Sequence, residues 1–72
     1  MNETVRTISV NGAPREVEAG TVVELLVELG LSPERPGIAV AVQGSLVPRG
    51  AWAELSIADG ESVEIITAVQ GG

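Results

Sequence analysis

The sequence predicts an α+β domain in which a mixed four- to five-stranded sheet packs on one α-helix. Three observations carry this. Short apolar segments flank two tight-turn signals, Asn11-Gly12 and Gln43-Gly44. One capped helical stripe follows the first of them. The chain closes on a nearly continuous apolar run, Val63 to Val69. At 72 residues there is room for one domain only.

Thr7-Ile8-Ser9-Val10 alternates polar and apolar residues, the period of a half-buried strand. Asn11-Gly12 supplies the positive φ that a two-residue hairpin turn demands at both central positions. Ala13 to Glu18 returns as the second strand, with Val17 facing the core. Thr21-Val22-Val23-Glu24 fits a capping box, and Val22, Leu25, Leu26 and Leu29 form one helical stripe. The spacing predicts a helix over 22–29, ended by Gly30 in the left-handed position. About two turns of helix cannot stand alone in water, so this one must pack on a sheet. Two prolines and a glycine make 32–37 a loop.

Ile38-Ala39-Val40-Ala41-Val42 reads as a strand with large residues on one face and alanines on the other. Ser45-Leu46-Val47 returns from the second turn. Pro48 has no N–H for a ladder, so this strand is an edge or ends there. The stretch 49–57 is irregular, with a helical turn near Trp52. Asp59-Gly60 turns the chain into the last strand, whose apolar character on both faces predicts a central place. The expected core is Ile8, Val10, Val17, Leu25, Leu26, Leu29, Val40, Val42, Leu55, Val63 and Ile65.

Composition narrows the function. Hydrophobic residues make up 44% of the chain against 19% charged, which predicts a folded body. A net charge of −6, with four Arg and no Lys, argues against nucleic acid and against anionic membrane surfaces. No apolar run approaches a membrane span, and the first residues lack a secretory pattern, so a cytoplasmic location is expected. Cys, His, Lys and Tyr are all absent, which removes most general bases and covalent nucleophiles. An enzyme is not expected, nor is a bound metal or cofactor. Glu24 and Glu28, four apart on the helix, read as a solvated face and not as metal ligands.

The end of the chain is the chemical feature. Gln70-Gly71-Gly72 follows the last strand, which predicts a body over 1–69 and a flexible tail over 70–72. Glycine fits a narrow channel and adopts dihedrals closed to other residues. An ionised terminal carboxylate is unreactive toward substitution at neutral pH, so any chemistry at this end needs prior activation. Missing lysines would leave a chain whose terminal carboxylate were activated few amines of its own to meet, although a compositional bias is the favoured explanation of their absence.

The whole layout resembles the ubiquitin-like β-grasp fold, and more narrowly the ThiS sulfur carriers of thiamine biosynthesis. The resemblance spans nearly the full chain. It rests on Val10-Asn11-Gly12, on Glu18-Ala19-Gly20-Thr21-Val22 running into Leu25-Leu26, and on Ala39-Val40-Ala41-Val42. Leu46-Val47-Pro48-Arg49 with Trp52 follows, then Asp59-Gly60-Glu61-Ser62-Val63-Glu64-Ile65 and the closing Ala68-Val69-Gln70-Gly71-Gly72. Gln43 stands where an Asn is typical, and Glu61 where an Asp is typical; both keep the turn chemistry.

The resemblance implies that Gly72 is adenylated with ATP by a ThiF-type adenylyltransferase and then converted to a thiocarboxylate. It implies delivery of that sulfur to a ThiG-type thiazole synthase, with a separate sulfur-donating enzyme upstream. Gly71 and Gln70 would enter the partners' sites. A MoaD-like subunit of molybdopterin synthase shares the Gly-Gly end, and a ubiquitin-like modifier or a plain binding module are further alternatives.

Three residues mark a candidate docking surface. If Val63 and Ile65 face the helix, Ile66 and Ala68 face away from it, joined by Ala41 from the neighbouring strand. Trp52, the only aromatic residue, is expected to plug the small core. Arg49 reads either as a structural residue or as a contact to the activating enzyme.

Overall fold

The computed structural model of the protein describes residues 5–68. In chain order its elements are β1 (Arg6–Val10), β2 (Ala13–Val17), α1 (Val22–Glu28), β3 (Ile38–Val42), β4 (Ser45–Val47), a 3-10 turn (Arg49–Ala51) and β5 (Ser62–Thr67). The sheet order is β2-β1-β5-β3-β4. β1 and β5 run parallel, and every other pair is antiparallel. The last strand is therefore central, as its apolar run predicts, and β4 is an edge strand that stops at Val47, before Pro48.

Both hairpin turns hold the predicted residues at positive φ. Asn11 sits at φ 51° and Gln43 at φ 53°, each followed by a glycine. Their side chains do more than tolerate the turn. The Ile65 amide donates to Asn11 Oδ1 at 2.8 Å, and Asn11 Nδ2 donates to the Ile65 carbonyl at 3.1 Å. Asn11 N–H also donates to the Val63 carbonyl. Gln43 N–H donates to the Ser62 carbonyl, and the Ser62 amide donates to Gln43 Oε1. Each turn thus bonds the central strand with a backbone and a side-chain group. β5 is gripped from both neighbouring hairpins.

Helix α1 ends at Glu28, and Leu29 is its C-cap instead of its last turn. Gly30 follows at φ 85°. Gly30 N–H donates to the Val27 carbonyl and Leu31 N–H to that of Leu26, the paired bonds of a Schellman ending. At the other end Thr21 Oγ1 accepts from the Glu24 amide at 3.2 Å. The Glu24 carboxylate reaches one residue further back than a capping box requires and accepts from Gly20 N–H at 2.7 Å.

Glu28 departs from its reading as a solvated side chain. Its carboxylate accepts from the amides of Glu18 and Ala19, at 3.0 and 2.9 Å, and so ties the β2–α1 connection to the helix. Arg6 Nη1 donates to the Ala19 carbonyl in the same connection, at 3.1 Å.

The core lies between α1 and one sheet face. Ile8, Val17, Leu25, Leu26, Val40, Val42, Val63 and Ile65 are buried as expected. Val10, Leu29 and Leu55 pack only partly against it, being placed at a strand end, a helix cap and a turn. Ala19, Val22, Ile38, Val47 and Ile57 complete the core, together with Trp52, which plugs it as expected. Trp52 and Ile57 are brought there by the segment 49–57 folding under the start of the helix. There the Trp52 and Leu55 carbonyls accept from the Val23 and Val22 amides, and Ile57 N–H donates to the Gly20 carbonyl. The 3-10 turn precedes Trp52, whose Nε1 donates to the Val47 carbonyl at 3.0 Å. Trp52 therefore closes one end of the core with its polar atom satisfied.

Candidate functional site

Gly72, Gly71 and Gln70 lie outside the described residues, as does Val69, which the apolar run had placed in the last strand. The structure fixes the point from which they continue. β5 ends at Thr67, and the next amide, that of Ala68, donates to the Gly37 carbonyl at 2.7 Å. Gly37 has φ 84°, and a Cβ there would stand 3.2 Å from the Ala68 Cβ. A side chain at 37 would combine a disfavoured backbone with a close contact against Ala68, the last residue described.

The loop carrying Gly37 is held by Arg49. Its guanidinium donates to the Pro33 carbonyl and, at 2.8 Å, to that of Arg35. It also stacks over Trp52, 4.4 Å from the ring centre. Arg49 thus has a structural role in this fold, and Trp52 plugs the core as expected. They underlie an open depression of about 750 Å³ reaching from Val23 to Gly37. With the guanidinium committed to two carbonyls and the indole buried, this depression has little chemistry to offer a ligand.

The other sheet face is where the expected docking residues fall. Residues 62, 64 and 66 alternate with the buried Val63 and Ile65. Ile66 is 64% exposed, Ala68 is exposed and Ala41 is half-buried. The ladder refines their neighbours. Ala41 lies opposite Glu64, while Ile66 lies opposite Ala39. On the other side Ala41 faces Leu46, which at 73% is the most exposed large apolar residue described.

Leu46 and Glu64 are the two residues that sequence reasoning left out of the patch. Both were within its reach. A two-residue turn at Gln43-Gly44 forces 41 opposite 46, and the period of two puts 64 on the side of 66. Among the described residues no hydrogen bond or ion pair engages the Glu64 carboxylate. No described helix is long and apolar enough to cross a membrane, and no three described acidic side chains group as a metal site.

Comparison with known proteins adds independent findings. The model of the ThiS family matches residues 8–72. A crystal structure of the thiamine biosynthesis protein ThiS from Geobacter metallireducens superposes with a TM-score of 0.75 at 29% identity, covering 92% of this chain and 99% of that one. A solution structure of a thiamine biosynthesis protein from the same organism gives the same TM-score and identity, with 87% of that chain covered. A thiazole synthase from Magnetococcus marinus is 35% identical over 66 residues, which are 90% of this chain but only 20% of that protein. The chain thus spans about a fifth of that relative's length. Sequence match and fold agree with the resemblance read from the residues: the chain has the ubiquitin-like β-grasp fold and belongs to the ThiS family.

Proposed function

We propose that this protein carries sulfur for thiazole formation in thiamine biosynthesis, as a thiocarboxylate on Gly72. The observation that supports it best is the family match, which runs to residue 72 and so takes in the Gly71-Gly72 end. In the proposed cycle an oxygen of the Gly72 carboxylate attacks the α-phosphorus of ATP in a ThiF-type adenylyltransferase, and pyrophosphate leaves. Hydrosulfide released by a sulfur-donating enzyme then attacks the acyl carbonyl, the C–S bond forming as the C–O bond to AMP breaks, so that AMP departs with the oxygen and the thiol proton goes to solvent. The net result is exchange of one carboxylate oxygen for sulfur. The charged end passes to a ThiG-type thiazole synthase and returns as the carboxylate.

The chain is a reloaded substrate in this cycle and not a catalyst. ATP belongs to its partner, and the cycle runs in the cytoplasm where ATP is made available. The Magnetococcus relative supports the synthase as partner, since there a domain similar to this chain shares one polypeptide with an enzyme of that name. Gly71 and Gln70 enter the partners' active sites with Gly72, and Ile66, Ala68 and Ala41 lie in the surface held by the adenylyltransferase. The test is the intact mass of the full chain after incubation with the adenylyltransferase, ATP and a sulfur source. A sulfur-for-oxygen increase on Gly72, absent when Gly72 is deleted, is expected. Normal loading of the deletion variant would falsify the assignment.

A further inference from the structure

Arg49 holds a loop that in turn holds the exit of the chain from the body. Its guanidinium spans the Pro33 and Arg35 carbonyls and lies over the Trp52 ring. Trp52 is buried and its Nε1 is bonded to the Val47 carbonyl, so the ring is a fixed platform. The Arg35 amide donates to the Ser32 carbonyl at 3.0 Å. The turn 32–35 is thus closed on itself and pinned to the core from one side.

Two residues further on, the Gly37 carbonyl accepts from Ala68 N–H, one rung beyond the Ile38 and Thr67 pair that ends the β3-β5 ladder. Only Pro36 stands between the pinned Arg35 carbonyl and Gly37. Its ring locks its own φ and holds Arg35 in an extended conformation. A displacement of the Arg35 carbonyl is therefore passed on to Gly37 and not absorbed between them. Gly37 also approaches Ala68 closely, so the two move together.

We infer that Arg49 is a positioning residue for the loading of Gly72: through Pro36 and Gly37 its fork sets the point from which the chain leaves the body. The inference rests on the sulfur-carrier reading of Gly72. Four residues, 69–72, follow Ala68. Extended, they reach at most roughly 14 Å. Losing the rung between Gly37 and Ala68 moves the last tethered point back into β5 and frees one more residue, roughly 3.5 Å of chain. A misplacement of only ~1 Å at a reacting centre can cost about 100-fold in rate.

The test joins amide hydrogen exchange by NMR to carrier-dependent ATP–pyrophosphate exchange on a ThiF-type adenylyltransferase, both with the full chain. Arg49→Met should speed exchange of the Ala68 amide roughly fivefold, the factor for one typical hydrogen bond. The Ile65 amide, held by Asn11, should exchange as in the native chain. In the enzyme assay Arg49→Met should lower kcat roughly tenfold or more and leave KM within about threefold. Arg49→Lys keeps a charge over Trp52 but not the fork, and should lose nearly as much as Arg49→Met. Pro36→Gly leaves the fork in place on an exposed loop and should show smaller losses of the same kind. Thr21→Ala removes the helix cap, lowers stability and should change neither readout in the folded chain.

A raised KM with native kcat would make Arg49 a contact to the enzyme and overturn the inference, as would native behaviour of Arg49→Lys beside a deficient Arg49→Met. Native exchange at Ala68 in Arg49→Met would overturn it too, and so would faster exchange there with an unaltered kcat. Sulfur loading of the native chain, read by mass, separates the two levels. Loading with any of these outcomes removes the role of Arg49 and leaves the carrier reading. Failure to load removes both.

Discussion

Replacing Asn11 by glycine deletes the side-chain clamp on β5 while keeping a residue that accepts φ 51°. The native side chain accepts from Ile65 N–H at 2.8 Å and donates to the Ile65 carbonyl at 3.1 Å. A typical intramolecular hydrogen bond contributes a net ~0.5–1.5 kcal/mol. Both of these are only part-buried, so water replaces some of the loss and the pair is worth about 1–2 kcal/mol. Glycine adds about 0.5–1 kcal/mol through the freedom it gives the unfolded chain. The sum, about 2 kcal/mol, is a large share of the ~3–5 kcal/mol that holds a domain of this size.

Expressed as temperature, about 2 kcal/mol lowers the melting midpoint by roughly 8–16 °C. Trp52 reports the transition directly, because it is the only tryptophan and is 2% exposed when folded. Its fluorescence and the far-ultraviolet dichroism should fall together. Asn11→Asp keeps the acceptor for Ile65 N–H but loses the donor and sets a carboxylate oxygen against the Ile65 carbonyl. It should be at least as damaging as glycine. A midpoint for Asn11→Gly within about 2 °C of native would show that the backbone ladder alone holds β1 to β5.

Leu26→Ala, at a fully buried position, should cost about 2–5 kcal/mol and leave much of the chain unfolded by dichroism at room temperature. Gly37→Ala should lower the melting midpoint through its positive φ and the 3.2 Å approach to Ala68, with a cost of about 1–2 kcal/mol from the backbone alone. The same variant should slow sulfur loading measured by mass, whereas Gly30→Ala, where nothing crowds a Cβ, should lower stability with no such effect on the folded fraction. Glu28→Gln keeps an acceptor oxygen for the Glu18 and Ala19 amides and should be milder in urea unfolding than Glu28→Ala. Deleting Gly72 should leave the melting midpoint unchanged, because β5 ends at Thr67.

Local chemistry made most of this fold legible. Asn11-Gly12 and Gln43-Gly44 announce two hairpins because few residue pairs accept two successive positive φ values. Thr21 and Gly30 bracket the helix because its end groups need partners. Once those elements stand, the apolar run after Ser62 has only the sheet centre to occupy. The segment 49–57 resisted because it has no period. Trp52 was expected in the core, but the bonds that seat this segment join Trp52, Leu55 and Ile57 to Val23, Val22 and Gly20, 29 to 37 residues back in the sequence, and no local pattern encodes such a meeting. Glu28 resisted for a related reason. On a helical wheel it belongs to the wet face, and only the bend of the β2–α1 connection brings two free amides to its carboxylate. The docking patch was half legible: the alternation on β5 exposes Ile66, but finding Leu46 needs the register of the second hairpin.

The grip on β5 connects stability to the proposed chemistry. A one-residue slip of a strand turns its buried side chains outward and moves its end by roughly 3.3 Å. In β5 such a slip would expose Val63 and Ile65 and carry Ala68 away from the Gly37 carbonyl. With only four residues left to Gly72, the tail has little slack to absorb that displacement, and an error of even ~1 Å at a reacting centre can cost about 100-fold in rate. Asn11 and Gln43 bond the two ends of the segment Ser62–Ile65, on either side of the strand, so both hairpins oppose the same slip. Weakening one clamp should therefore impair sulfur delivery more than an equal loss of stability elsewhere in the core, such as a Val22→Ala change beneath the helix. The comparison is made at a temperature where both variants remain folded. Equal delivery rates from the two would mean that the clamps serve stability alone.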